Sequence, residues 1–105
     1  MEKVYNKLVR DKIPQIIEAG GNRCKIRLLS PEEYRQMVDK KLSEELAEYL
    51  ESKEPEELAD LIEVIAAAAQ ARGCSWAELM QLREEKRQKR GGFEKGILLE
   101  SVTEI

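Results

Sequence analysis

Four acidic residues are the part of this sequence best suited to chemistry. They form two pairs with the same spacing, Glu45 with Glu48 and Glu57 with Asp60. In an α-helix this spacing places both carboxylates of a pair on one side. Two helices folded against each other could therefore present all four carboxylates to one site. Because carboxylate oxygens are ligands that hard cations prefer, the pattern predicts a site for Mg²⁺ or Mn²⁺.

The same acids also fit ordinary solvated helices. The chain has 21 acidic residues, so pairs at this spacing are expected by chance. The position of the second pair favours a site, because the helix that begins there continues on the same side through Val64 and several alanines. A carboxylate buried beside such a surface is costly unless a cation compensates it. We therefore expect the second pair to begin an almost wholly buried helix.

The composition excludes several classes of protein. No histidine is present, which rules out histidine-dependent catalysis and histidine-ligated zinc within one chain. Cys24 and Cys74 lie far apart and form no metal-binding motif. The net charge of -3 argues against a nucleic-acid binder or a binder of anionic membranes. Since no long apolar run and no signal-peptide segment are seen, we expect a cytoplasmic protein.

Helices are the elements that must position the acids. Hydrophobic spacing and capping patterns predict helices over residues 13–19, 31–51, 55–72 and 76–90. The apolar residues of 24–28, and a short strand within 93–102, could pair as a minor two-stranded β element. The fold class that we predict is an all-α antiparallel helical bundle, formed by one domain over residues 1–105.

Basic residues near both ends of the chain, and one beside the first acidic pair, could contact phosphate groups. Solvated surface charge explains the same residues, and the helix dipole favours those at the end of the last helix. The candidates for phosphate binding are Lys7, Arg10, Lys12, Lys41, Lys86, Lys89 and Arg90.

Four motifs occur in a fixed order along the chain: YNKLVRDKIP at 5–14, EExxE at 44–48, ExxD at 57–60 and KRGGFEKGI at 89–97. This ordered set resembles the MazG-like, all-alpha nucleoside triphosphate pyrophosphohydrolase superfamily, in a small single-domain branch related to phosphoribosyl-ATP pyrophosphohydrolase. The resemblance covers nearly the whole chain.

The resemblance implies a reaction and a set of roles. The reaction is Mg²⁺-dependent hydrolysis of a nucleoside triphosphate between the α and β phosphates, which gives a nucleoside monophosphate and pyrophosphate and would serve nucleotide-pool housekeeping. Glu44 and Glu63 would be additional acids near the site. The metal ligands and catalytic acids would be Glu45, Glu48, Glu57 and Asp60.

Two alternatives remain open at the level of sequence. One is pyrophosphohydrolysis of phosphoribosyl-ATP, which the same site could perform. The other is a non-catalytic helical module that binds a nucleotide or only associates. In each case the alanine-rich helix over 55–72 predicts a homodimer or homotetramer, because one small chain can hardly cover all its sides.

Overall fold

Four α-helices and no β-strands form the protein in the computed structural model, which describes residues 1–105. The helices are α1 (Ile13–Ala19), α2 (Pro31–Ser52), α3 (Pro55–Ala71) and α4 (Trp76–Arg90). Each bound agrees with the sequence prediction to within one residue, so the all-α prediction is confirmed. None of the four combines the length and apolar character that a membrane crossing requires.

Reciprocal hydrogen bonds at two helix starts explain why these bounds could be read from the sequence. The hydroxyl of Ser30 accepts a bond from the Glu33 backbone N–H at 3.2 Å, and the Glu33 carboxylate accepts one from the Ser30 N–H at 3.3 Å. Ser75 and Glu78 repeat this arrangement at the start of α4. Each capping box satisfies backbone donors that the helix itself leaves free.

Helices α2 and α3 form an antiparallel hairpin, joined by Lys53 and Glu54 alone. The tight connection places Lys53 in the left-handed region, with φ at 62°, and its N–H donates to the Tyr49 carbonyl. Near the open end of the hairpin, Arg72 Nη2 lies 2.8 Å from Asp39 Oδ2. The direction of packing therefore brings the end of α2 beside the start of α3, where the two predicted acidic pairs lie.

The predicted two-stranded β element is wrong. Residues 24–28 and 93–102 adopt no regular structure, and no backbone hydrogen bond joins them. Their apolar side chains remain exposed, as at Ile26 and Leu98. An isolated pair of strands is marginal in water unless a further element packs on it, and the large apolar side chains of both segments lie exposed here.

The expectation that α3 is almost wholly buried is also wrong for a single chain. No residue of α3 is fully buried, and 52% of the surface of Ile62 is exposed. Only α2 packs along α3, while α4 touches it and α1 contacts no other helix. The radius of gyration is 18.6 Å, whereas a compact domain of this length has about 13 Å.

Candidate metal centre

Three carboxylates converge where the end of α2 faces the start of α3. One oxygen from each of Glu45, Glu57 and Asp60 lies within 4.8 Å of the other two. We call these three residues the carboxylate cluster. Glu57 and Asp60 lie one turn apart on α3, and the antiparallel hairpin brings Glu45 of α2 against them.

Glu45 is the most buried acid of the protein, with 7% of its surface exposed. Its Oε1 lies 3.5 Å from the ammonium of Lys41, one turn earlier on α2. Its Oε2 is buried and has no hydrogen-bond partner. A buried oxygen left without a donor or cation is costly, so this atom has an unmet need that a cation in the cluster could satisfy.

The pKa of Glu45 lies above its ordinary value of 4.5. Burial is the main cause, because it disfavours the charged form, and the neighbouring charge of Glu48 acts in the same direction. The ammonium of Lys41 opposes both effects. The polypeptide therefore compensates this carboxylate only in part.

Asp60 forms an ion pair with Arg10, which belongs to the distant N-terminal segment. Arg10 Nη2 donates to Asp60 Oδ1 at 2.7 Å, and Arg10 Nη1 lies 3.9 Å from Glu63 Oε1. The side chains of Arg10 and Asp60 retain 57% and 44% of their exposure. This ion pair lies at the solvent-exposed edge of the carboxylate cluster, whereas Glu45 lies at its buried side.

The other three predicted acids lie around the cluster rather than in it. Glu48 is exposed and is not among the three converging residues, although its charge reaches Glu45. Glu44 lies 3.4 Å from the ammonium of Lys41, which it therefore shares with Glu45. Glu63 shares Arg10 with Asp60 in the same way. Each of these two acids is connected to the cluster through a basic side chain.

Of the seven basic candidates for phosphate binding, the structure brings two to the cluster, Arg10 and Lys41. The ammonium of Lys7 lies 5.5 Å from the ring centre of Tyr5. The remaining four candidates are exposed and form no salt bridge, and these are Lys12, Lys86, Lys89 and Arg90.

Two features of the site were missed from sequence. The acid that is buried belongs to the first pair, not to the second, because α2 turns Glu45 towards α3 while the start of α3 stays half exposed. The spacing of Lys41 and Glu45, four residues apart, was a signal for their pairing. The contact between Arg10 and Asp60 spans 50 positions and has no local sequence signal.

The donor set fits a hard divalent cation. All three converging groups are carboxylates, which suit Mg²⁺ or Mn²⁺ better than a thiol-seeking or imidazole-seeking metal. The orphaned oxygen of Glu45 belongs to one of these groups. The cluster could therefore hold the cation that the sequence predicts, and that cation stays a prediction.

Comparison with known proteins gives one stretch of similarity. The chain is 54% identical over 41 residues to an uncharacterized protein of Mycolicibacterium smegmatis. The matched stretch covers 39% of this chain and 42% of that protein, so the chain spans less than half the length of the relative that it matches. No family model matches the chain, and no solved structure matches it.

Proposed function

We propose that this protein is a Mg²⁺-dependent nucleotide pyrophosphohydrolase that cleaves a nucleoside triphosphate between its α and β phosphates. The observation that carries the proposal is the buried, unpartnered oxygen of Glu45 within a cluster of three carboxylates. A surface acid with no function would turn towards water, since water would satisfy both its oxygens. The motif resemblance supports the choice of reaction.

We assign each residue a proposed role that its position supports. Glu45, Glu57 and Asp60 would hold the cation, which supplies a Lewis acid for phosphate oxygens and favours the ionised form of water. Arg10 and Lys41 place positive charge at the edge of the same cluster. Since the chain has no histidine, the proton acceptor that we propose for the attacking water is a carboxylate.

Glu48 is our candidate for that proton acceptor. It belongs to the predicted acidic pairs, yet it lies outside the three converging carboxylates. It is exposed and one helical turn from Glu45, so its carboxylate can exchange protons with solvent. This role separates it from the three residues proposed to hold the metal ion.

The test is release of pyrophosphate from a panel of nucleoside triphosphates with Mg²⁺. Glu48→Gln should abolish release while leaving Mg²⁺ binding intact, and Asp60→Asn should weaken both. Glu51→Gln is the matched control, since Glu51 is an exposed acid on the same helix. Wild-type protein that binds Mg²⁺ but turns over no nucleotide would refute the enzymatic proposal. Phosphoribosyl-ATP in the same panel tests the alternative substrate.

The alternative to an enzyme is a non-catalytic helical module that only associates with other chains. The exposed apolar surface of α2 and α3 favours this alternative. Leu58, Ile62 and Ile65 form one stripe on α3, at the spacing that puts residues on one helix face, and Leu46 with Leu50 forms another on α2. Calorimetry decides between the two proposals. A module that serves association alone should bind no nucleotide in the presence of Mg²⁺.

We further propose that a second copy of the chain covers these stripes, giving a homodimer or homotetramer. Within one chain Val38 is the only fully buried apolar residue, which is far too small a core for a stable domain of this length. The stripe on α3 carries no charge, so it suits an equally apolar surface rather than a charged partner.

Sedimentation measures this directly. Wild-type protein should have a mass of at least twice 12.1 kDa, and Ile62→Glu should lower it towards the monomer. Ile97→Glu is the control, because Ile97 is equally apolar and 81% exposed but lies outside the helices. A monomeric wild-type protein that unfolds cooperatively would overturn the proposal.

A further inference from the structure

Arg10 is the one polar link between the N-terminal part of the chain and the helices that follow. No other side-chain hydrogen bond or salt bridge joins residues 1–22 to α2, α3 or α4. Helix α1 packs on none of them. The polar contacts between this segment and the hairpin are therefore those of one guanidinium, and that guanidinium contacts a member of the carboxylate cluster.

The contact uses little of what a guanidinium can offer. Arginine commonly binds a carboxylate through two parallel hydrogen bonds. Here a single bond joins Arg10 Nη2 to Asp60 Oδ1 at 2.7 Å, and the second carboxylate, Glu63, lies 3.9 Å from Nη1. Since the side chain is 57% exposed, water can reach the guanidinium. Arg10 thus lies beside the cluster with N–H donors that Asp60 does not use, and its exposed ion pair with Asp60 is weak.

We propose that Arg10 exchanges partners during ligand binding. In the free protein it pairs with Asp60, and when a cation and a polyphosphate occupy the site it transfers to the phosphate oxygens. This inference rests on the metal site of the proposed function. A planar guanidinium recognises phosphate as readily as carboxylate, so the exchange replaces one oxyanion by another that carries more charge.

The other basic candidates are less suited to this exchange. Lys41 is only 17% exposed and is shared between Glu44 and Glu45, so it holds two carboxylates in place. The basic residues of α4 make no contact with the cluster. Arg10 alone combines a position at the cluster, solvent exposure and a place in an irregular segment whose helix, α1, contacts no other helix.

Partner exchange predicts effects of opposite sign for two ligands. Arg10 competes with a divalent cation for Asp60 and repels it, so Arg10→Gln should bind Mn²⁺ alone about two- to fivefold more tightly, the range expected from breaking an exposed ion pair. With Mg²⁺ saturating, the same variant should bind inorganic pyrophosphate at least about tenfold more weakly, because it loses charge-assisted hydrogen bonds.

The experiment measures Mn²⁺ binding by electron paramagnetic resonance and pyrophosphate binding by calorimetry. Arg10→Lys keeps the charge but loses the planar fork, so it should bind Mn²⁺ like the wild type and pyrophosphate with intermediate affinity. Arg72→Gln is the matched control, since Arg72 forms a similar exposed pair with Asp39 at 2.8 Å, away from the cluster. Circular dichroism confirms that each variant is folded.

Each result separates this inference from the proposed function. If the wild type binds no Mn²⁺, the metal site fails and the exchange fails with it. If the wild type binds Mn²⁺ but Arg10→Gln weakens both ligands, Arg10 has a structural role and the exchange alone is refuted. Tighter Mn²⁺ binding with unchanged pyrophosphate binding also refutes the exchange, because Arg10 would then only compete with the metal ion.

Discussion

Replacing Glu45 by glutamine tests the central feature of the site. The wild-type carboxylate is buried, with an Oε2 atom that has no partner and a raised pKa that reflects this burial. Glutamine has the same shape but no charge, and its amide can donate to the neighbouring carboxylates of Glu57 or Asp60. Without metal, Glu45→Gln should therefore stabilise the protein, contrary to the usual effect of a substitution at a buried position.

The magnitude follows from the environment of that oxygen. An unsatisfied buried polar group costs about 1–3 kcal/mol, and Lys41 at 3.5 Å offsets part of this for Glu45. We expect a gain of about 1 kcal/mol, which raises Tm by about 4–8 °C in a domain of this size. Addition of Mg²⁺ should reverse this ranking of the two proteins, because it should stabilise the wild type more than the variant. If the proposed site binds Mg²⁺, the ion at one hundred times its Kd should stabilise the wild type by about 2.7 kcal/mol, whereas the variant should show little response.

The assay is thermal unfolding of both proteins at equal concentration, with EDTA and with Mg²⁺. Equal concentration matters because the proposed self-association would make Tm depend on it. Glu51→Gln, an exposed change of the same kind on α2, should alter neither condition. The reasoning fails if Glu45→Gln lowers Tm in EDTA, or if the variant keeps the full stabilisation by Mg²⁺.

Three further predictions concern the fold. Hydrogen bonds from the Arg27 guanidinium and from Ser30 hold the pKa of Glu33 down at about 2. The contribution of this carboxylate to stability is therefore complete above pH 4.5 and is lost as the pH falls towards 2, and Glu33→Gln, which cannot titrate, should flatten that part of the plot of Tm against pH. Ser75→Ala removes a capping box and should cost about 1 kcal/mol in urea unfolding, whereas Ser43→Ala in the middle of α2 should cost nothing. Val38→Ala should cost about 2 kcal/mol because its side chain is fully buried, while Val102→Ala, 81% exposed, should be neutral by the same measurement.

Local patterns made the helices predictable. Ser30 and Ser75 begin helices through hydrogen bonds that span three residues, and these depend on little beyond the sequence around them. The false β element had equally suitable residues, but a strand pair also needs a covering layer, and a local pattern cannot supply one. The sequence therefore predicts best what short-range interactions determine.

The same limit explains the outcome at the site. Spacing identified Glu57 and Asp60 as neighbours on one helix face and placed Glu45 on the facing helix. Which of these acids is buried depends on how α2 and α3 rotate against each other, and the apolar composition of α3 suggested the wrong one. The approach of Arg10 depends on the path of an irregular segment, for which no periodicity exists.

The two-residue connection between α2 and α3 has a consequence for how the protein folds. It places the cluster between residues only 12 and 15 positions apart in the chain, so closing the hairpin already brings the three carboxylates together. Contacts of such short separation form early and fast. Repulsion among the three carboxylates should then slow hairpin closure, and a cation present at that moment would relieve it. A divalent ion should therefore increase the rate of folding as well as the stability of the folded protein.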